Sequence, residues 1–233
     1  MDNEEESVVG ALPLPRKSDV LFGSGTDWKA NACVNSFDAF GRRVIATAYQ
    51  DGYRRAALQL AEYVCEARQG KDFLVYQIVY LYRHHIELTL KSIINSAAFV
   101  IDYTLTEKDL DMLGRHDLAK LWNLARPMLN PACSLGGSPA LPPDDLEGID
   151  SYIDQLHQHD PDGQRFRYST TKVKGQKART RSFLPADLKH INIRNFTIGM
   201  EKLSDYLDTL DRWFGDIVQA KCEHLAQCMR DRY

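Results

Sequence analysis

Apolar residues recur along most of this chain at the three- and four-residue spacing of an α-helix, and the pattern turns to alternation only once. The clearest stretch lies toward the C-terminus. There Ile193, Phe196, Met200, Leu203, Leu207, Leu210, Phe214 and Ile217 follow one another at intervals of 3, 4, 3, 4, 3, 4 and 3. Regularity over about three and a half heptads predicts a long final helix packed along its length, within its own bundle or against a second subunit. Ser36 is placed to cap a first helix running to about Gly70, with Asp38 in its first turn and Phe37, Phe40, Val44 and Ala48 at helical spacing. A second helix is predicted from about Asp72 to Phe99. Its apolar residues occupy more than one face, as in a central, largely buried helix.

Thr104 or Thr106, followed three residues on by Glu107 or Asp109, predicts the cap of a third helix. It carries Leu110, Leu113, Leu118, Leu121, Trp122 and Leu124 and ends near Pro127. Residues 127–143 hold five of the nine prolines together with Gly136-Gly137, which predicts a loop. A short helix from about Asp144 to His157 precedes the turn signal Asp160-Pro-Asp-Gly163. Alternation then runs from Arg165 to Val173, turns at Lys174-Gly175 and resumes from Ala178 to Phe183, which predicts a hairpin over 164–184. The expected fold is all-α: a bundle of about five helices with a small β-hairpin insertion and a long C-terminal helix. Residues 1–35 read as an irregular acidic arm and 36–233 as one domain.

Composition adds exclusions. With 233 residues, 44% hydrophobic and a net charge of −3, the chain can bury a substantial core and is not disordered over most of its length. No window approaches the roughly 18 uncharged apolar residues of a membrane span. The N-terminal Met-Asp-Asn-Glu-Glu-Glu has the wrong sign for a secretory signal. The five cysteines include no Cys-x-x-Cys pair, so reduced thiols in a cytoplasmic protein are expected. There is no nucleophile elbow, Walker loop, dinucleotide turn or zinc fingerprint, and neither a metal nor a cofactor is expected.

Charge is uneven. Seven basic residues (Arg165, Arg167, Lys172, Lys174, Lys177, Arg179 and Arg181) and no acidic ones lie between Gly163 and Ala186. Such a segment points to an anionic partner, RNA or another nucleic acid. Tyr168 stands among the arginines as a further binding candidate, and Arg83, Glu87 and Lys91 are binding candidates too. In the second helix Arg83, Glu87 and Lys91 share one face at i, i+4 and i+8, beside His84 and His85, and Gly114-Arg-His116-Asp-Leu118 opens the region that follows. Either these groups form an ion network tying helices together or they line a polar cleft.

In this order the segments resemble the HEPN superfamily: Glu87-x-x-x-Lys91 after a run of aromatics, then Gly114-x-His116-Asp-Leu118, then Arg167-Tyr168 before a long final helix. The resemblance covers about residues 70–210 through short, degenerate motifs. It implies a helical, often dimeric protein and, for many members, a metal-independent endoribonuclease in a bacterial defence or toxin–antitoxin setting. The family's catalytic Arg, usually followed by Asn, matches Arg194-Asn195. The histidine expected four to six residues further on is missing, and Gly199 stands in that window. The resemblance therefore leaves a non-catalytic relative, or a site in which His84, His85 or His116 has taken over the acid–base work. Two other readings remain open: an interaction subunit for a cognate protein partner, and a nucleotide-binding regulator.

Overall fold

The computed structural model describes residues 15, 17, 21–22, 25–32, 42–172, 179–181, 184 and 188–231. The chain divides into two compact units, Met1–Ala39 and Phe40–Tyr233. In the first, the described residues form a single 3-10 turn, Trp28–Ala30, and the Asn31 amide brackets Gly25 by hydrogen bonds with its backbone N–H (2.8 Å) and carbonyl (3.0 Å).

The second unit is a helical bundle. Its described elements are α1 (Arg42–Ala67), α2 (Lys71–Val100), α3 (Glu107–Leu113), α4 (Leu118–Leu135), α5 (Pro143–His159), the strands β1 (Thr170–Lys172) and β2 (Arg179–Arg181), and α6 (Ile193–Arg230). The predicted start of the first helix, Ser36 to Gly41, lies outside the described residues. α2 is the central element and packs on α1, α4 and α6. Tyr82, Ile86, Leu90, Ile93 and Ile94 are fully buried there, and removing each such side chain from water contributes about 1.5–3 kcal/mol. The α6 stripe supplies the opposing surface: Met200, Leu203, Leu207, Leu210 and Phe214 are buried within this chain. The stripe is thus covered internally and no longer argues for a second subunit.

Three expectations need correction. The predicted third helix is two helices, broken at Gly114–Asp117. Asp117 accepts from the Lys120 N–H at 3.2 Å and caps α4, while the His116 carbonyl is drawn away to the Arg83 guanidinium. α3 has its own capping box, with the Thr106 N–H donating to Asp109 at 2.9 Å and the Asp109 N–H donating back at 3.3 Å.

The predicted loop over 127–143 is helical as far as Leu135. Pro127 and Pro131 lie on the exposed side of α4, so the carbonyls they deprive of donors, those of Asn123 and Pro127, lie on the side that water can reach. The opposite side buries Leu121, Trp122, Ala125, Met128, Leu129 and Ala132, and that burial outweighs the proline penalty. α4 ends at Gly136, where a Cβ would stand 2.3 Å from Ile217 of α6.

The alternating segment is not extended at its start. The Arg167 and Tyr168 N–H groups both donate to the Gln164 carbonyl, at 3.2 and 2.9 Å, in a helical turn that drives Phe166 into the core side. Arg165 and Arg167 therefore do not alternate along a strand. Further on, β1 and β2 pair antiparallel through Thr170–Arg181, Thr171–Thr180 and Lys172–Arg179. Lys174 and Lys177 lie outside the described residues.

Candidate functional site

The ladder on α2 brings two charges inside the protein. Glu87 and Arg83 are 1% and 3% exposed, a costly placement unless every charge finds partners. They do. One Glu87 oxygen accepts from Lys91 Nζ and from His116 Nδ1, each at 2.8 Å. The other faces Arg83 Nη1 at 3.4 Å and His84 Nδ1 at 4.0 Å. Arg83 also donates from Nε to the Asp160 carbonyl at 3.2 Å, pairs with the Asp160 carboxylate at 3.3 Å, and donates to the His116 carbonyl. Burial acts to raise the Glu87 pKa, but the bonds from Lys91 and His116 and their charges outweigh it and hold the carboxyl below its ordinary value.

The turn signal read in the sequence has a specific task here. Asp160 caps the following turn by accepting from the Arg165 N–H at 2.9 Å. Gly163, at φ +71°, lies so close to Arg83 that a Cβ would stand 2.6 Å from Nη1. The turn is thus built around the guanidinium.

Beside this knot lies a platform of rings. The His84 imidazole stacks on Tyr80 (centroids 5.7 Å apart, 12° between planes) and meets Tyr53 edge-on at 4.4 Å. The Arg167 guanidinium lies 5.6 Å from the Tyr80 ring and 5.1 Å from that of Tyr168. Burial lowers the His84 pKa against the pull of Glu87, which disfavours the charged form of the ring. Burial also raises that of Tyr80, against Arg167. His116 remains 46% exposed while its Nδ1 is held by Glu87. His84 and Lys91 open onto a groove of about 900 Å³ along α1 and α2, lined also by Tyr49, Tyr53 and Asn95. Chemically this is a carboxylate–imidazole dyad beside half-buried aromatic rings, the exposed Tyr168 and cations.

The structure brings Arg83, His84, Glu87, Lys91, His116, Arg165, Arg167 and Tyr168 into one neighbourhood. Arg165 donates to the His159 carbonyl at 3.2 Å. Arg194 lies elsewhere; it and Asn195 are in the first turn of α6. Arg194 lines a cavity of about 600 Å³ with Arg68, Lys71 and His190. Asn195 lines one of about 360 Å³ that Arg83 and His159 also reach. Gly199, in place of the family's histidine, packs under Tyr152, whose ring would be 3.3 Å from an added Cβ. An imidazole there requires Tyr152 to move. Lys172, Arg179 and Arg181 sit on the strand ladder.

His85 belongs to a second knot that sequence reasoning missed. Its Nδ1 lies 3.1 Å from the Gln50 carbonyl and its Nε2 lies 3.4 Å from Asp208. Burial lowers its pKa against the attraction of Asp208. At the centre Arg54 binds Glu201, Asp205 and Asp208 of α6, and Tyr82 donates to Glu201 at 2.8 Å. The readable signal was the acidic series Glu201, Asp205, Asp208 at helical spacing; nothing in the sequence pairs it with Arg54. Tyr53, Asp160 and Gly163 were missed as site residues because their neighbours are distant in sequence; Tyr80, one turn before His84, was within reach of helical spacing.

No protein-family model, no curated protein and no solved structure matches the chain.

Proposed function

We propose that this is an RNA-directed, HEPN-like protein that binds single-stranded RNA on the α2 platform, with His116 as its acid–base group. The observation that carries the reading is the contiguity of the Glu87–His116 dyad with His84, Tyr80, Arg167 and Tyr168. Half-buried rings that reach the surface, the exposed Tyr168 and an arginine suit bases and phosphates of an unpaired strand. The sequence adds seven basic residues between Arg165 and Arg181, a charge that favours an anionic partner. In this reading Glu87 fixes the His116 tautomer and stabilises the imidazolium formed when the ring takes a proton from a ribose 2′-hydroxyl. The 2′-oxygen then attacks the adjacent phosphorus, Arg167 faces the developing charge, and the departing 5′-oxygen takes a proton from solvent. The acid–base role rests on this dyad, because Gly199 supplies none and Arg194 lines another cavity.

The test uses labelled single-stranded RNA with a chelator present. Affinity should fall with salt, with a log–log slope of about −0.7 per phosphate contact. Arg167→Ala should weaken binding by about tenfold, within the range of one lost stacking partner. His116→Ala should lower cleavage by about 10²–10⁴-fold with binding retained. Binding without cleavage in the parent protein removes the acid–base role and leaves an RNA-binding module. Absence of binding overturns the reading in favour of a protein-interaction subunit.

A further inference from the structure

α6 outruns the bundle. Ile217 and Val218 are the last residues of its stripe packed on the core. Lys221 is the last anchor: its ammonium donates to the Phe99 and Val100 carbonyls at 3.0 Å each and pairs with Asp102 at 2.7 Å, closing the C-terminal end of α2. From Cys222 to Arg230 every residue is exposed. The heptad count nevertheless continues beyond Ile217 at intervals of 4, 3 and 4, through Lys221, His224 and Cys228. The helix face that presents leucines inside the bundle presents an imidazole and a thiol outside it, flanked by Leu225 (44% exposed) and Met229 (66% exposed).

His224 Nε2 and Cys228 Sγ are 3.6 Å apart, one helical turn from each other. A tetrahedral zinc ion with a nitrogen ligand at about 2.1 Å and a sulfur ligand at about 2.3 Å requires those two atoms to be roughly 3.6 Å apart. The pair is already set at the bite of a chelate. Imidazole and thiolate are the donors that zinc prefers over the oxygen-seeking cations. One chain does not complete the site, because no group of three or more metal-ligating side chains occurs among the described residues. A second copy related by a two-fold axis brings the same pair to the same point and makes Cys2His2.

We propose that the overhanging end of α6 is a zinc half-site, and that His224 and Cys228 from two copies close around one ion and join the chains there. Each thiol gives its proton to solvent as it binds, so affinity rises with pH. Leu225 and Met229 lie beside the ligands, where the second copy would cover them.

The full chain, reduced and freed of metal by a chelator, is titrated with Co²⁺ as the probe. The intense visible bands of tetrahedral thiolate-bound cobalt should saturate at one ion per two chains, and Zn²⁺ should bleach them. Sedimentation should show the 26.6 kDa chain doubling in mass on adding Zn²⁺. His224→Ala and Cys228→Ser should each abolish both signals. They alter exposed side chains beyond the bundle, so the fold is not at risk. Cys222→Ser, on another face of the helix, should change neither. Saturation at one ion per chain, bands that survive Cys228→Ser, loss of binding in Cys222→Ser, or zinc uptake without association would each overturn the proposal. None of these readouts depends on RNA.

Discussion

Two ion knots grip α2 from opposite sides, and they are near mirror images in charge. On one side a buried anion, Glu87, is surrounded by Arg83, Lys91, His84 and His116. On the other a cation, Arg54, is surrounded by Glu201, Asp205 and Asp208, with Tyr82 and His85 beneath. The first knot joins α2 to the turn before α4 and to the Asp160 turn, and beside it lie half-buried rings and the exposed Tyr168. The second joins long helices along their lengths, and its histidine is sealed. Burial lowers the Arg54 pKa, but the three carboxylates more than compensate and hold it above the ordinary arginine value. Similar electrostatics therefore serve different ends. Where the knot ties helix to helix its groups are used up by structure; where it ties a helix to turns, some polar atoms are left facing solvent.

The contrast predicts different costs. The largest belongs to Arg83→Ala, which removes the buried cation that the Glu87 and Asp160 carboxylates share. It should cost about 3–5 kcal/mol in chemical denaturation. Arg54→Ala should cost less, about 1–3 kcal/mol, because Asp205 is 74% exposed and Glu201 and Asp208, at 24% and 18%, still reach water. If Arg54→Ala proves the costlier change, the distinction between the two knots fails. Gly163→Ala probes the first knot without touching a charge. The positive φ and the close approach to Arg83 should together cost about 1–3 kcal/mol.

A fourth prediction uses pH. The His84 pKa is lowered in the folded protein, so below the ordinary histidine value of about 6.5 the unfolded chain binds a proton before the folded chain does. Stability therefore falls as pH drops from about 6.5 through the folded value. Glu87, also lowered, adds a second loss beginning near its ordinary value of about 4.5. His84→Phe should flatten the upper part of the decline, leaving the His85 contribution. Thermal unfolding followed between about pH 7 and 5 tests this, and an unchanged slope would remove His84 from the account. The smallest effect on stability is expected for Arg167→Ala, within about 0.5 kcal/mol, since Arg167 is exposed and its guanidinium overlies the Tyr80 and Tyr168 rings at the surface. A large loss of stability there would make the platform structural and weaken the case that it serves RNA.

Much of the fold was legible. The long α6, the buried α2 and the short α5 followed from periodicity, because a helix that buries a stripe must repeat its apolar residues. The errors came where a local signal met a tertiary one. Pro127 and Pro131 signal an end to a helix, but both face solvent and the buried face of α4 carries the helix past them. Arg165-Phe-Arg-Tyr168 alternates like a strand, yet Asp160 caps a turn there and Phe166 is pulled inward. Half of the candidate site was legible for the same reason. Arg83, Glu87 and Lys91 are neighbours by helical spacing alone. That His116 hydrogen-bonds Glu87, while Arg194 turns toward a different cavity, depends on how three helices are placed.

The sequence by itself determined the helical character of this protein, the central place of α2 and the unequal spread of charge, since each is a property of spacing or of counting along one chain. Only the tertiary structure decided which distant charges meet. A buried ion is tolerable only when partners surround it; helical spacing alone brings Arg83, His84 and Lys91 to Glu87, but His116, 29 positions away, and Asp160, which reaches it through Arg83, do not follow from spacing. Chain order carries no record of that distance being closed.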